Sequence, residues 1–280
     1  MYKFLFFIIV IITLISCDKF DKKESIPTYF TVDSLTFTTT YNEGASTQNI
    51  SDVWVDLDGN FMGVYELPVT FPLLGEQKIH TIRLRAGIKK NGIDASRIAY
   101  PFYDSYLIDT TFAENATIRL IPHFEYNKST VFEWIEDFQD PGFTLNKTSN
   151  SDTTLNRVID ETNGANRLGE IVLENTHPQF EYISKNTFTL QAGQTYLELD
   201  YKNNQVFTIG LIINNTSSQE NISLIMINPK NYLNKIYIDL SYVLSQNLGA
   251  IDYGIFFRAV KQDDVDTAKI YIDNIKLVHF

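Results

Sequence analysis

Cysteine and histidine are scarce in this chain, and basic residues are outnumbered by acidic ones. The 280 residues include one cysteine, four histidines, and 23 lysine and arginine against 34 aspartate and glutamate residues. A single cysteine excludes a disulfide within the chain, so stability must come from packing. The net charge of −11 argues against a nucleic-acid partner, because phosphates would be repelled by an acidic surface.

The motifs of common catalytic sites are missing as well. The histidines are dispersed, and no His-x-His, His-Glu-x-x-His or cysteine cluster offers a catalytic metal site. No Gly-x-Ser-x-Gly motif or phosphate-binding glycine loop occurs. Glu133, Glu136 and Asp137 lie in one short segment, whereas a glycosidase needs two carboxylates on either side of its substrate. We therefore expect a protein without enzymatic activity.

The first seventeen residues have the pattern of a bacterial export signal. Lys3 supplies the positive start, residues 4–14 are almost wholly apolar, and Leu14-Ile15-Ser16-Cys17 resembles the lipobox of lipoproteins. The apolar run is too short to span a bilayer comfortably, and charged residues follow it. We predict a signal peptide over residues 1–16, lipidation of Cys17 and a flexible tether over residues 17–27.

This resemblance implies a mature protein that acyl chains hold on a membrane without a spanning segment. The acidic and lysine residues after Cys17 resemble the surface-export signals of Bacteroidota lipoproteins. The expected location is therefore the outer membrane, on its periplasmic or extracellular face.

Residues 28–128 alternate with the two-residue period of β-strands. The clearest hairpin has apolar positions on one face of residues 53–57, a turn at Asp58-Gly59 and a return over residues 61–67. In residues 79–86 the even-numbered side chains should face a core, while Arg83 and Arg85 stay in water. Prolines on both sides of residues 69–71 predict an edge strand or a linker there.

The Asp-Gly hairpin over residues 53–67, with Gly63, Pro68, Gly75 and the strand over residues 80–82, resembles the PEGA-type β-module of bacterial surface proteins. Its continuation to residue 103 resembles a segment of Bacteroidota lipoproteins. The resemblance implies a small β-sandwich-like domain and carries no activity. Residues 56–60 also look like part of a calcium-binding loop, but the twelfth position is Leu67 and not glutamate, so a turn is predicted.

A domain boundary is predicted near residues 126–129, and no long low-complexity linker follows it, so the two halves can pack closely. Residues 129–280 contain candidate strands at 187–190, 196–201, 206–213, 222–228, 235–240, 253–260 and 269–278. Only residues 241–248, closed by Gly249, permit a short helix. The predicted fold class is all-β, with a small β-sandwich-like domain over residues 28–128 and a two-sheet jelly roll over residues 129–280.

Four segments of the second half, at residues 133–138, 197–201, 236–241 and 270–277, together resemble a galactose-binding-like jelly roll of the carbohydrate-binding-module type. In the last segment, Ile270 and Ile272 stand at even-numbered positions, whereas Ile275 and Leu277 stand at odd-numbered positions. A regular strand would therefore place the two pairs on opposite faces. A bulge at Asp273-Asn274 would turn all four inward.

The same resemblance implies a structural calcium ion where an acidic residue near the first strand meets the aspartate of the last. The matching positions are Glu136 or Asp137, and Asp273, which offer the hard oxygen donors that calcium takes. The alternative is that Asp273 and Asn274 bond to backbone groups at the bulge, and that Glu136 and Asp137 are solvated.

Ligands of such folds stack on aromatic rings of a concave face or of loop tips. The aromatic candidates are Tyr182, Tyr201, Phe207, Tyr232, Tyr253 and Phe257. Core packing explains most residues of this kind, so the sequence does not select among them and the ligand-binding residues stay unknown.

The leading hypothesis is a non-catalytic, outer-membrane-anchored lipoprotein that binds an extracellular ligand, such as a glycan, through its jelly roll. The alternative is a structural accessory subunit of an outer-membrane import, secretion or gliding complex. A hydrolase with an unrecognised site is the third hypothesis.

Overall fold

The structure is a computed structural model that describes residues 26–263 and 265–280. The predicted signal peptide, Cys17 and most of the predicted tether lie outside the described residues. The chain is all-β, as predicted. Within the described ranges, no helix has both the length and the apolar character needed to cross a membrane.

The N-terminal half forms small sheets. Its strands are β1 (Thr28–Val32), β2 (Thr36–Phe37), β3 (Asp52–Leu57), β4 (Asn60–Glu66), β5 (Val69–Leu73), β6 (Ile79–Lys89), β7 (Arg97–Ala99), β8 (Tyr106–Thr111), β9 (Thr117–Leu120) and β10 (His123–Phe124). A sheet of order β5-β1-β9 faces a sheet of order β4-β3-β6-β7, in which β8 also pairs with β6. The short strands β2 and β10 pair with each other.

Apolar side chains from both larger sheets form the core of this half, among them Phe30 of β1, Val53 of β3 and Ile82 of β6. The predicted hairpin is confirmed, because β3 and β4 are joined by Asp58-Gly59, with φ of 49° and 81°. The turn requires this left-handed backbone, which glycine adopts without strain. The predicted edge strand is confirmed as β5.

The alternation over residues 79–86 is also confirmed, but the two arginines are not simply solvated. The Nε atoms of Arg83 and Arg85 lie 2.9 and 3.2 Å from Oδ2 of Asp56, a carboxylate that is 3% exposed. Asp56 stands on β3 directly beside Arg83 in the sheet register. A buried carboxylate needs opposing charge, so it draws both arginines down onto the sheet.

The C-terminal half is a two-sheet jelly roll. Its strands are β11 (Val131–Glu136), β12 (Leu145–Lys147), β13 (Leu155–Ile159), β14 (Arg167–Leu173), β15 (Gln179–Ser184), β16 (Thr195–Asn203), β17 (Phe207–Asn214), β18 (Gln219–Ile227), β19 (Lys230–Asp239), β20 (Asp252–Val260) and β21 (Ala268–His279). The six-stranded sheet has the order β13-β14-β21-β16-β19, with β11 beside β21, and the five-stranded sheet has the order β12-β15-β20-β17-β18. The predicted short helix is α1 (Ser241–Gln246).

The predicted strands from residue 196 onward are confirmed as β16 to β21. The strand predicted at residues 187–190 is wrong, because Phe188 forms only an isolated bridge with Tyr253. The strands β12 to β15 are additional to those predicted. The strands β12 and β13 are short and carry few apolar residues, so apolar alternation marks them weakly.

The predicted bulge near the end of the chain is confirmed. In the pairing of β16 with β21, Glu198 faces Lys276 and Asp200 faces Asp273, so β21 carries one extra residue between these pairs. Asn274 takes a φ of 47° at this point. The side chains that this turns into the core are fully buried: Ile270, Ile272, Ile275 and Leu277.

The N-terminal half covers one end of the outer face of the six-stranded sheet. There Glu198 of β16 is fully buried, and its Oε2 lies 2.8 Å from Nζ of Lys235 on β19. Tyr100 and Tyr126 of the N-terminal half donate hydroxyl hydrogen bonds of 2.6 and 2.7 Å to the two oxygens of this carboxylate. The two halves are therefore joined through a buried charge.

Lys276 of β21 is a second buried cation at this interface. Its Nζ donates a 2.7 Å hydrogen bond to the carbonyl of Ala45 and lies 5.0 Å from the centre of the Tyr126 ring. Burial and the charge of Lys235 lower the pKa of Lys276 to about 7. Burial disfavours the carboxylate of Glu198, yet the charges of Lys235 and Lys276 hold its pKa below its usual value.

Replacing Glu198 by alanine is expected to destabilise the protein by about 3–5 kcal/mol, because Lys235 would be left buried without its counter-charge. Urea denaturation measures this change in the free energy of unfolding. The control Glu76→Ala removes an exposed partner of Lys78, 3.1 Å away, and should leave stability nearly unchanged. Equal effects of the two substitutions would contradict the role given to Glu198.

Candidate functional site

The outer face of the six-stranded sheet is divided between the covered end and an open end. Along β16, Leu197, Leu199 and Tyr201 point into the core. The side chains between them point outward. Glu198 lies under the N-terminal half, whereas Lys202 lies at the open end.

A groove crosses the open end of this face. Its larger part has a volume of about 690 Å³ and is lined by Lys202, Lys230 and Lys269 together with Tyr232 and Tyr271. A smaller part of about 420 Å³ adjoins it and shares Lys202, Tyr232 and Tyr271. The groove therefore runs over β19, β16 and β21 and continues to β13 and β14.

Strand parity places two of the groove residues. On β21, Ile270 and Ile272 are fully buried in the core. Lys269 is exposed and Tyr271 is half-buried on the opposite face, as the two-residue period of a strand requires. The bulge at Asp273 then changes the parity, so the same strand presents Lys276 to the covered end.

Tyr232 reaches the groove through a bulge in β19. Tyr201 pairs with Asn234 and Asn203 pairs with Lys230, so three residues of β19 stand opposite one residue of β16. Tyr232 is the middle residue of these three and is 55% exposed. Extra residues of this kind bend a strand and redirect its side chains.

Two lysines of the groove stand over its tyrosine rings. The Nζ of Lys202 lies 5.7 Å from the ring centre of Tyr271, and the Nζ of Lys230 lies 5.6 Å from that of Tyr232. These distances are within the range of cation–π attraction. Each ring therefore carries a cation close beside it.

The hydroxyl of Tyr271 remains a hydrogen-bond donor at neutral pH. Burial and the neighbouring carboxylates of Glu170 and Glu161 raise the pKa of Tyr271 to about 12. Glu170 lines the smaller part of the groove, as do Asp160 and Glu161. The groove thus has Lys230 and Lys269 at one end and carboxylates at the other, with Lys202 lining both parts.

The structure selects among the aromatic candidates of the sequence analysis. Five of the six are at most 6% exposed and belong to the core: Tyr182, Tyr201, Phe207, Tyr253 and Phe257. Tyr232 lies in the groove. The second tyrosine of the groove, Tyr271, is not among the candidates. Its position between two core isoleucines of the last strand is the signal that could have identified it.

The acidic residues assigned to a calcium site have separate local partners. Oε1 of Glu136 accepts a 2.9 Å bond from the backbone N–H of Phe138, and Oε2 accepts 2.6 Å bonds from the N–H and the hydroxyl of Thr144. Glu136 therefore holds the loop that follows β11. Oδ1 of Asp137 accepts a 3.1 Å bond from the backbone N–H of Gln139.

Asp273 also bonds locally, as the alternative reading of the bulge expects. Its Oδ1 accepts a 2.7 Å bond from the backbone N–H of Asn274, and its Oδ2 accepts a 2.8 Å bond from the side-chain amide of Asn166. Over residues 26–263 and 265–280, no three acidic, histidine or cysteine side chains form a group suited to a metal ion. Calcium binding by Glu136, Asp137 and Asp273 stays a prediction.

Comparison with known proteins finds solved structures that align with about half of this chain. The chain matches no protein family, and no curated protein is significantly similar to it. The CBM22-1-GH10 modules of endo-1,4-β-D-xylanase 10B from Clostridium thermocellum, complexed with xylohexaose, share 12% identity over 54% of this chain and 29% of that chain, with a TM-score of 0.41.

Two smaller solved structures align over similar shares of this chain. A family 11 carbohydrate-binding module from Clostridium thermocellum, in complex with a mixed-linked tetrasaccharide, has 14% identity over 52% of this chain and 95% of its own, with a TM-score of 0.38. A family 29 carbohydrate-binding module has 15% identity over 54% of this chain and 88% of its own, with a TM-score of 0.35. We therefore infer the function from the residues of the groove.

Asp273 gives a testable pH dependence. Burial raises its pKa to about 7, against hydrogen bonds from Asn166 and Asn274, and the charges of Asp200 and Asp137 add to the rise. The folded chain therefore keeps a proton that the unfolded chain loses near pH 4, so this contribution to stability is lost as pH rises from about 4 to 7. Wild type should lose roughly 3 kcal/mol more stability between pH 5 and pH 8 than Asp273→Asn.

The measurement is urea unfolding at both pH values, with the exposed Asp140→Asn as a control that keeps the wild-type difference. An Asp273→Asn protein with the same pH difference as wild type would contradict the assignment.

Thermal unfolding at pH 8 with calcium or a chelator tests the predicted metal. Calcium bound at this site should raise the unfolding midpoint of wild type but not that of Asp273→Asn. A wild-type midpoint that the chelator leaves unchanged would contradict the predicted site.

Proposed function

We propose that this protein is a non-catalytic glycan-binding lipoprotein, anchored to the outer membrane through Cys17, which holds a polysaccharide in the groove of its jelly roll. The observation that carries the proposal is the pair of tyrosines, Tyr232 and Tyr271, in an open groove on a rigid sheet. Sugar rings have apolar faces that pack on aromatic rings, and their hydroxyls need polar partners at the rim.

The remaining lining fits sugar hydroxyls. Asn231 lines both parts of the groove together with the tyrosines, and Glu170 lines the smaller part. Amides can donate and accept, lysines donate, and carboxylates accept hydrogen bonds. A groove that is open along the sheet suits an internal stretch of a chain.

Asp160, one of three carboxylates in the groove, is unsuited to act as a general acid. Oδ1 of Asp160 accepts bonds of 2.9 and 2.7 Å from the backbone N–H and the hydroxyl of Thr162. Burial opposes its ionisation, yet these bonds hold the pKa of Asp160 below its usual value. A carboxyl held ionised in this way is a poor proton donor for glycosidic cleavage.

Replacing Tyr232 or Tyr271 by alanine is expected to weaken polysaccharide binding at least about tenfold, the equivalent of about 1.4 kcal/mol, because each substitution removes one stacking ring. Affinity electrophoresis and isothermal calorimetry against neutral and acidic polysaccharides measure the loss. Tyr242→Ala is the matched control, since that ring is 72% exposed on α1 and away from the groove. Binding that survives both groove substitutions, or cleavage of the polysaccharide, would contradict the proposal.

The anchor is tested separately. Cys17→Ala should move the full-length protein from the membrane fraction to the soluble or unprocessed fraction and abolish labelling by radioactive palmitate, because the acylated thiol is removed. Fractionation of cells that express either form gives the result. Ser16→Ala, which leaves a small residue before the cysteine, should remain labelled. Unlabelled wild-type protein would contradict lipidation.

A further inference from the structure

Three lysines converge at one end of the groove in a chain that is strongly acidic. Lys202, Lys230 and Lys269 line its larger part, and among the described residues no acidic side chain lines that part. In the described portion of the chain, none of the three ammonium groups has a carboxylate within 4.0 Å. This end of the groove is therefore a local concentration of positive charge, and no carboxylate of the described residues pairs with it.

Two asparagines fix the strand ends that carry these lysines. Oδ1 of Asn204 accepts a 2.7 Å bond from the backbone N–H of Lys269, and the backbone N–H of Asn204 donates a 3.1 Å bond to the carbonyl of Lys269. Oδ1 of Asn203, which is 3% exposed, accepts a 3.1 Å bond from the backbone N–H of Lys230. Lys202 is the neighbouring residue on β16. The backbones of all three lysines thus belong to one hydrogen-bonded frame.

The two tyrosines connect this basic end to the carboxylate end. The Lys202 ammonium group stands over Tyr271, and Tyr271 in turn neighbours Glu170. A ligand that stacks on both rings must therefore place one of its units beside the lysines and another beside the carboxylates. Lysines attract anions, whereas carboxylates accept hydrogen bonds from uncharged hydroxyls and repel anions.

We infer that the groove takes an anionic glycan, in which a unit bearing a carboxylate or sulfate group lies between the three lysines and an uncharged unit lies beside Glu170. This inference rests on the proposed glycan binding and adds the charge of the ligand and its direction in the groove. A uniformly neutral glycan would leave three ammonium groups unpaired. A glycan charged on every unit would bring an anion against the carboxylate end.

The test compares acidic polysaccharides with chemically neutralised forms of the same chains. The probes are glucuronoxylan and its carboxyl-reduced form, and κ-carrageenan, which is sulfated on alternate units only, and its desulfated form. Wild type should bind one of the acidic probes at least tenfold more tightly than its neutralised form, and this preference should fall as NaCl is raised from 50 to 500 mM. The two pairs distinguish a carboxylate from a sulfate group.

The protein side of the test uses Lys202→Gln, Lys230→Gln and Lys269→Gln, singly and together. Each should weaken binding of the acidic probe more than binding of the neutralised probe, and the combined variant should abolish the preference. Lys147→Gln, an exposed lysine of β12 on the other sheet, is the matched control. Thermal unfolding midpoints show whether each variant is folded. If a variant is not folded, the comparison of acidic and neutralised probes on wild type still tests the inference.

The failures of the two proposals are distinguishable. Equal binding of acidic and neutralised probes, lost in Tyr232→Ala, would overturn the inference and leave glycan binding standing. Binding to no polysaccharide would overturn both. A preference for the acidic probe that persists in the combined lysine variant would also overturn the inference, because residues other than the three lysines would then bind the anionic group.

Discussion

The buried carboxylate of Glu198 is the interaction on which the arrangement of the two halves depends. Removing a charge from water is costly unless it is paired and its hydrogen bonds are satisfied. Here Lys235 supplies the charge from the jelly roll, while Tyr100 and Tyr126 supply two hydroxyl donors from the N-terminal half. Burial opposes the charged form of Lys235, but Glu198 raises its pKa well above the usual value. Neither half satisfies this cluster alone.

The same strands carry both the covered cluster and the open groove. On β16, Glu198 and Lys202 lie on one face, four residues apart, and on β21 Lys276 and Tyr271 lie on either side of the bulge. The N-terminal half can cover only part of the sheet, and what it leaves uncovered is the groove. Because both regions share strands, the covered cluster fixes the frame from which the groove side chains project.

Much of this fold follows from alternation and turn chemistry. The Asp58-Gly59 hairpin and the bulge at Asp273 could be predicted because both features depend on neighbouring residues. The pairing of Arg83 with buried Asp56 could not, since it depends on which strands become neighbours. The alternation of β21 is enough to place Tyr271 on the outer face of the sheet. The exposure of Tyr232 depends instead on an irregular register between β16 and β19. For Glu136, the sequence offers a calcium ligand or a solvated side chain, whereas the structure buries its carboxylate against Thr144, a partner that depends on the loop geometry.

The central claim is that the open end of the six-stranded sheet is the glycan-binding surface, and chemical-shift mapping tests it most directly. Isotope-labelled protein would be titrated with oligosaccharides of glucuronoxylan and followed by amide resonances. The shifts should concentrate at residues 202–204, 230–232 and 269–271, with a smaller set near Glu170. Shifts confined to the five-stranded sheet or to the N-terminal half, with these residues unmoved, would contradict it.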